Sequence, residues 1–181
     1  MSGIVNSTGA RSGVIGTTVG TSVGTVIGRA YLVAVDDSTT HQGSTTGWTL
    51  RILNQKVFGD SCGCPVTLSS NEFSFDEVGT YIIDARAPNY NSNRNILRLM
   101  YDTGTTEVAV GMAQYASSNT TTSHVSGQVT ITSGIITSAT PRTYGLYMAC
   151  QTAIVGNGHG VNNTSVTTEQ YLQVNIAKIQ V

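Results

Sequence analysis

Residues 73–90, FSFDEVGTYIIDARAPNY, hold two alternating runs separated by a turn. Phe73 and Phe75 share one strand face. After Asp76, Glu77, Val78 and Gly79, the residues Tyr81, Ile83, Ala85 and Ala87 fall on one face and Thr80, Ile82, Asp84 and Arg86 on the other. The pattern predicts a hairpin. Its aromatic pair and Tyr81/Ile83 ridge would share a sheet face in the middle of a β core, with Pro88 closing the second strand.

The composition around this stretch points the same way. A chain of 181 residues is long enough for one well-buried domain. Nine Lys+Arg against ten Asp+Glu leave a formal net charge of -1, which offers no electrostatic footprint for a nucleic-acid partner or an acidic membrane. Solubility falls to Ser, Thr, Asn and Gln. Frequent Gly and β-branched residues, with scarce Lys, Glu and Leu, disfavour helices and suit short strands joined by tight turns, so the expectation is all-β. The start MSGIVNSTGARSG lacks a basic segment followed by an unbroken apolar core, so the chain is expected to be made and folded in a cytoplasm. Cys62, Cys64 and Cys150 are an odd number and read as thiols; a Cys62–Cys64 disulfide would be strained at that separation.

Residues 1–28 read as an extended arm, and 29–181 as the domain it precedes. From Gly13 the arm runs GVIGTTVGTSVGTVIG, glycines punctuating Val and Ile, with Arg11 and Arg29 flanking. The Gly-x-x-x-Gly spacing would suit packed membrane helices, but the uncharged run is shorter than a span and heavy in Thr, so no membrane insertion is expected. A flexible linker would leave too many apolar side chains solvated. The expectation is an arm that docks on another protein through Ile4, Arg11, Val14, Ile15, Val19, Val23, Val26 and Ile27.

Beyond the arm, RAYLVAVD sets Ala30, Leu32 and Ala34 against Tyr31, Val33 and Val35, a strand apolar on both faces and therefore covered twice. In GWTLRILN, Trp48, Leu50 and Ile52 mark a core face. Val57, Phe58, Val66 and Leu68 give shorter strands. Residues 96–102 and 107–115 predict a hairpin about Asp102, Thr103 and Gly104, with Val108, Val110 and Met112 on one side. Ser117–Ser123 reads as an exposed polar loop, followed by the strand His124–Thr132. Tyr144, Leu146, Met148 and Cys150 share a face. Gly156–Asn163, GNGHGVNN, reads as a wide loop, and Leu172, Val174 and Ile176 alternate before a phase shift to Ile179 and Val181 that predicts a bulge near Ala177. The predicted core contains Trp48, Phe73, Phe75, Tyr81, Ile83, Leu146 and Val174, in about ten strands spaced as in sandwiches and jelly rolls.

With the strands in this order, residues 29–181 resemble the jelly rolls of the complement globular head and tumour necrosis factor superfamily, most closely its phage and bacterial branch. The specific part is FSFDEVGTYIIDA, matching the aromatic strand, Gly-x-Tyr turn and following strand at Phe73, Phe75, Gly79 and Tyr81. The start GIVNSTGARSGVIGTT resembles N-terminal segments of tailed-phage appendage proteins. The resemblance implies a ten-stranded antiparallel jelly-roll sandwich assembling as a homotrimer, with Tyr31, Val33, Val35, Tyr171, Ile179 and Val181 at the subunit boundary. No collagen-like stalk precedes the domain, since glycines three to four apart cannot wind a collagen helix.

Chemistry finds little to work with. His41, His124 and His159 are scattered without metal-binding spacing, and Cys62 and Cys64 with only Cys150 elsewhere cannot build a four-thiolate site; no metal or other cofactor is expected. Adjacent Asp36 and Asp37 at a strand end offer clustered oxygens for calcium, but the role expected of them is surface solubility. No Ser sits in a nucleophile elbow, and Asp84 and Glu107 lie opposite arginines such as Arg86 and Arg98, so no catalytic residue is assigned and no enzyme is expected. Sequons at Asn119, Asn162 and Asn163 arise by chance in an Asn/Thr-rich chain. The leading expectation is a virion structural protein, assembled in the host cytoplasm and displayed on the virion surface. It would be a trimeric knob held by its arms to the capsid, as a decoration or head-fibre protein. The alternatives are a tail-fibre or receptor-binding protein whose loops 117–123 and 156–163 contact a host surface glycan or protein, and a free adhesive or ligand-binding module.

Overall fold

Strands rich in β-branched and aromatic residues, each apolar on alternate positions, bury one face by pairing into sheets and stacking those sheets. The computed structural model describes residues 25–36, 44–58, 64–138, 141–160 and 169–180. In chain order the strands are β1 (Thr25–Asp36), β2 (Thr49–Leu50), β3 (Gln55–Phe58), β4 (Val66–Ser69), β5 (Glu72–Phe75) and β6 (Gly79–Tyr90), then β7 (Asn93–Tyr101), β8 (Thr106–Val110), β9 (Gln114–Ala116), β10 (Thr120–Ile131), β11 (Tyr144–Cys150) and β12 (Glu169–Gln180). One short helix, α1 (Ser133–Ile136), links β10 to β11. The first sheet has the order β10-β6-β12-β1-β3. The second runs β4-β5-β11-β7-β8, with β2 against β11 and β9 against β7. This is the antiparallel jelly-roll sandwich expected; the count exceeds ten because β2 and β9 are fragments of two and three residues.

The decisive stretch folds differently from the hairpin predicted for it. β5 pairs with β4 and β11, whereas β6 pairs with β10 and β12, so the turn at residues 76–78 carries the chain from one sheet to the other. Phe75 and Tyr81 meet across the sandwich with ring centroids 4.1 Å apart, and Tyr144 stacks on Phe73 at 5.9 Å. The Tyr81 hydroxyl donates to the Glu77 carbonyl at 2.8 Å, which satisfies its one polar atom and holds the corner. Phe73, Phe75, Tyr81, Ile83, Leu146 and Val174 all lie in the core.

Trp48 does not. It is 41% exposed, and the buried residues of its segment are Arg51 and Leu53, so the alternation read through Trp48, Leu50 and Ile52 has the opposite phase. Two contacts account for this: the Arg98 guanidinium covers the Trp48 ring at 3.6 Å, and Arg51 points inward to donate to the backbone carbonyls of His159 and Tyr171. β12 also differs from expectation. Its alternation continues through Leu172, Val174 and Ile176 to Lys178, which turns inward and reaches Glu77 at 2.5 Å, so no bulge occurs near Ala177. The pairing is irregular instead on β1 between Val26 and Gly28, and at the other end of β12, where Tyr171 is skipped between the Ala34–Leu172 and Val35–Gln170 pairs. Val26 and Ile27, read as arm residues, are therefore in a strand, where Val26 pairs with Ile179.

The β7–β8 hairpin forms, but its outgoing strand stops at Val110. A side chain at Gly111 would meet the His124 carbonyl at 1.9 Å, so the chain passes close over β10 there before β9 returns to the beginning of β7.

Candidate interaction surfaces

The outward face of the first sheet is the surface the resemblance assigns to subunit contact. Register places Gln128, Ile82, Ala177 and Arg29 in one row, Ser126, Asp84, Asn175, Tyr31 and Phe58 in the next, and His124, Arg86, Gln173, Val33 and Gln55 in a third. Tyr31 and Phe58 have ring centroids 5.9 Å apart, and Phe58, Ile27 and Ile82 are 41%, 47% and 39% exposed. Within this face Asp84 accepts from His124 at 2.6 Å and lies 3.6 Å from Arg86. Tyr31 and Phe58 thus form an apolar patch on β1 and β3, while Asp84 on β6 is already paired within the subunit, which lowers the cost of covering the face.

Of the residues assigned to the subunit boundary, Tyr31, Tyr171 and Ile179 are half-buried on the sheet. Val33 is already fully buried within the subunit, outside the main core cluster, so it has no area left for a neighbour. That corrects its assignment. Val35 lies in β1, and Val181 lies outside the described residues, as do Ile4, Arg11, Val14, Ile15, Val19 and Val23 of the arm, and Cys62 and His41.

The polar end of the sandwich holds groups that sequence reading placed in loops. Ser123 is buried and joins Asn89 and Asn95: the Asn89 amide donates to Asn95 Oδ1 and Ser123 Oγ, both at 3.0 Å. Nearby, Arg51 donates to the Tyr171 carbonyl at 2.6 Å and to the His159 carbonyl at 3.5 Å. Burial pulls Arg51 down to about 9, so it stays charged at neutral pH. Burial first, and the Arg51 charge second, pull His159 down to about 3, which keeps its ring neutral. Gly158, His159 and Gly160 are buried; a Cβ at Gly158 would meet the Ser44 backbone nitrogen at 2.3 Å. Residues 158–160 therefore brace the fold and present nothing to a host surface, correcting that part of the loop assignment.

Among the described residues no three His, Cys, Asp or Glu side chains gather into a metal site, and no helix is long and apolar enough to cross a membrane. Glu107 pairs with Arg98 at 3.3 Å. Burial raises the Cys150 thiol, the opposite of what a nucleophile needs.

The second sheet presents a different outward face. Arg94, Ile96 and Arg98 follow one another along β7, flanked by Ala149 and Tyr147 of β11 and by Val110 and Tyr115. Trp48, Val110, Tyr115 and Met112 are 41%, 47%, 63% and 75% exposed. Nothing in the spacing of the sequence marks this surface, because its members come from four separate segments.

No protein-family model matches the chain, and no curated protein matches it in sequence. Among solved structures, murine APRIL at pH 5.0, of the tumour necrosis factor family, is similar with a TM-score of 0.54 and 8% identity, over 83% of this chain and 98% of that one. The globular domain of zebrafish complement 1qA gives 0.45 and 11%, over 83% and 94%. The PRD1 vertex protein P5 gives 0.47 and 17%, over 87% and 99%. At such identities the APRIL likeness is one of fold, and it is the jelly roll of the tumour necrosis factor type.

Proposed function

We propose that this chain is a non-catalytic structural component of a bacteriophage virion: a trimeric jelly-roll knob fixed to the capsid surface by its N-terminal arm, as a decoration or head-fibre protein. The observation that carries the reading is the outward face of the β10-β6-β12-β1-β3 sheet, where Tyr31, Phe58 and Ile82 stand partly exposed and Asp84 is paired with His124. A trimer that covers this face gathers three arms at one place, and three weak dockings become one stable attachment through effective concentration. The arm sequence before Thr25, apolar yet interrupted by glycines, suits docking on a neighbouring protein. A second reading, contact with a host surface, is favoured by the exposed Trp48, Met112 and Tyr115 on the opposite sheet.

The test is removal of residues 1–24, which leaves β1 whole. The shortened chain is expected to remain a soluble trimer and to fail to join particles, with gold label on the full-length chain lying over the head in electron micrographs. Label at the tail would move the knob to host recognition, and a shortened chain that still joins particles would remove the arm from the account.

A further inference from the structure

On the outward face of the second sheet, between β9 and β11, lies a groove of about 320 Å³. Its floor is small and apolar, formed by Ile96 and its cross-strand partner Ala149, with Ala113 at one wall. Arg94 and Gln151 bound it, both exposed. Tyr115 is the cross-strand partner of Arg94 and stands on the same face, 63% exposed. The volume is at the small end of ligand sites, roughly 300–1,000 Å³, and suits a short oligomer of small rings rather than a folded partner.

Charge narrows the ligand. Among the described residues Arg86, Arg98, His124 and Lys178 each face a carboxylate, but Arg94 makes no ion pair there. Its guanidinium is a free two-pronged donor at the end of an apolar floor, the arrangement that recognises a planar anion. Backbone bonding argues against an extended peptide. Asn93, Arg94 and Asn95 already pair with β9, Asn95 also pairs with Cys150, and the Gln151 amide donates to the Arg94 carbonyl at 2.6 Å, so an added strand would find these groups taken. What remains are side-chain donors, an amide, an aromatic ring and a patch of CH groups. These suit a pyranose, whose axial C–H face packs on apolar surface while its hydroxyls bond outward. Behind the floor, the Asn89–Ser123–Asn95 network holds β7 in place, so the site sits on rigid strands.

We propose that this groove binds an acidic saccharide, its anionic group on Arg94, its ring over Ile96, Ala149 and Ala113, and a hydroxyl on Gln151. The biological setting rests on the host-contact reading above, but the chemistry rests on the groove alone. The step is binding without reaction; the neighbouring Cys150 is buried.

The experiment follows the alanine methyl and backbone amide resonances of the full chain at low salt while adding trigalacturonate, a sugar phosphate, or neutral galactotriose. The proposal expects shifts at Ile96, Ala113, Ala149 and Gln151 with an acidic sugar and at least about tenfold weaker binding of galactotriose, the loss of one charge-assisted contact. The two acidic arms distinguish carboxylate from phosphate. Arg94→Gln is expected to lose about the same factor while keeping the wild-type mass in solution, and Ala113→Trp to block binding by filling the groove. No shift with either acidic sugar, equal binding of galactotriose, or undiminished binding by Arg94→Gln would overturn the proposal. A correct assembly mass in those same samples would leave the knob reading standing, so the two failures are separable.

Discussion

The two ends of the sandwich are made of different materials, although one strand, β6, runs through both. At its beginning Tyr81 packs on Phe75, with Phe73 and Tyr144 beside them. At its end, eight residues and about 26 Å further on, Asn89 meets Asn95 and Ser123, with Arg51 and His159 close by. The aromatic end is held mainly by burial and dispersion, which are non-directional and indifferent to pH, with the Lys178–Glu77 pair at its rim. The polar end is held by directional bonds in a water-poor setting, where each partner removed strands another. One end therefore tolerates conservative repacking, and the other does not.

The sharpest way to break this contrast is Tyr81→Ala, expected to cost about 3–5 kcal/mol in equilibrium urea unfolding. A loss below about 1 kcal/mol would remove the inter-sheet corner from its central place. At the polar end, Asn95→Ala leaves the Asn89 amide and Ser123 hydroxyl short of their shared acceptor, for an expected loss of about 1–3 kcal/mol. Asn95→Leu should do no better, since shape is not what is missing.

Acid should also tell the ends apart. The folded state keeps His159 neutral down to about pH 3, while the unfolded chain protonates it near the ordinary 6.5. Between those values the unfolded state holds more protons, so stability present above pH 6.5 falls as acid is added, by up to about 1.4 kcal/mol per pH unit. His159→Gln should flatten that slope, whereas Tyr81→Phe should leave it unchanged; a slope that survives in His159→Gln would assign it to other groups. The smallest effect is expected at Trp48. Because its ring is half in water beneath Arg98, Trp48→Ala should cost about 0.5–1 kcal/mol, and a loss above about 3 kcal/mol would return it to the core.

The aromatic end was legible in the sequence because alternation reports which face of a strand is buried. Phe73, Phe75, Tyr81 and Ile83 needed no more than that. Alternation does not report which strand is the partner, so an inter-sheet corner read as a hairpin. The polar end was less legible because its logic is non-local. Arg51 is inward on account of carbonyls at Tyr171 and His159, 120 and 108 residues away, and a local hydrophobic pattern assigns Trp48 inward instead. Gly158 looks like loop composition, yet it is required by the approach of Ser44. The groove beside Tyr115 was invisible for the same reason: β7 contributes three of its lining residues, β11 two, and the segments leading to β9 and leaving β11 one each.

The account depends most on the first sheet's outward face being a contact between copies. Sedimentation equilibrium of the full chain tests this directly. It predicts a single species of three times the 19.0 kDa chain mass, shifted toward the monomer by Ile82→Asp. A species of 19.0 kDa across the micromolar range would contradict it.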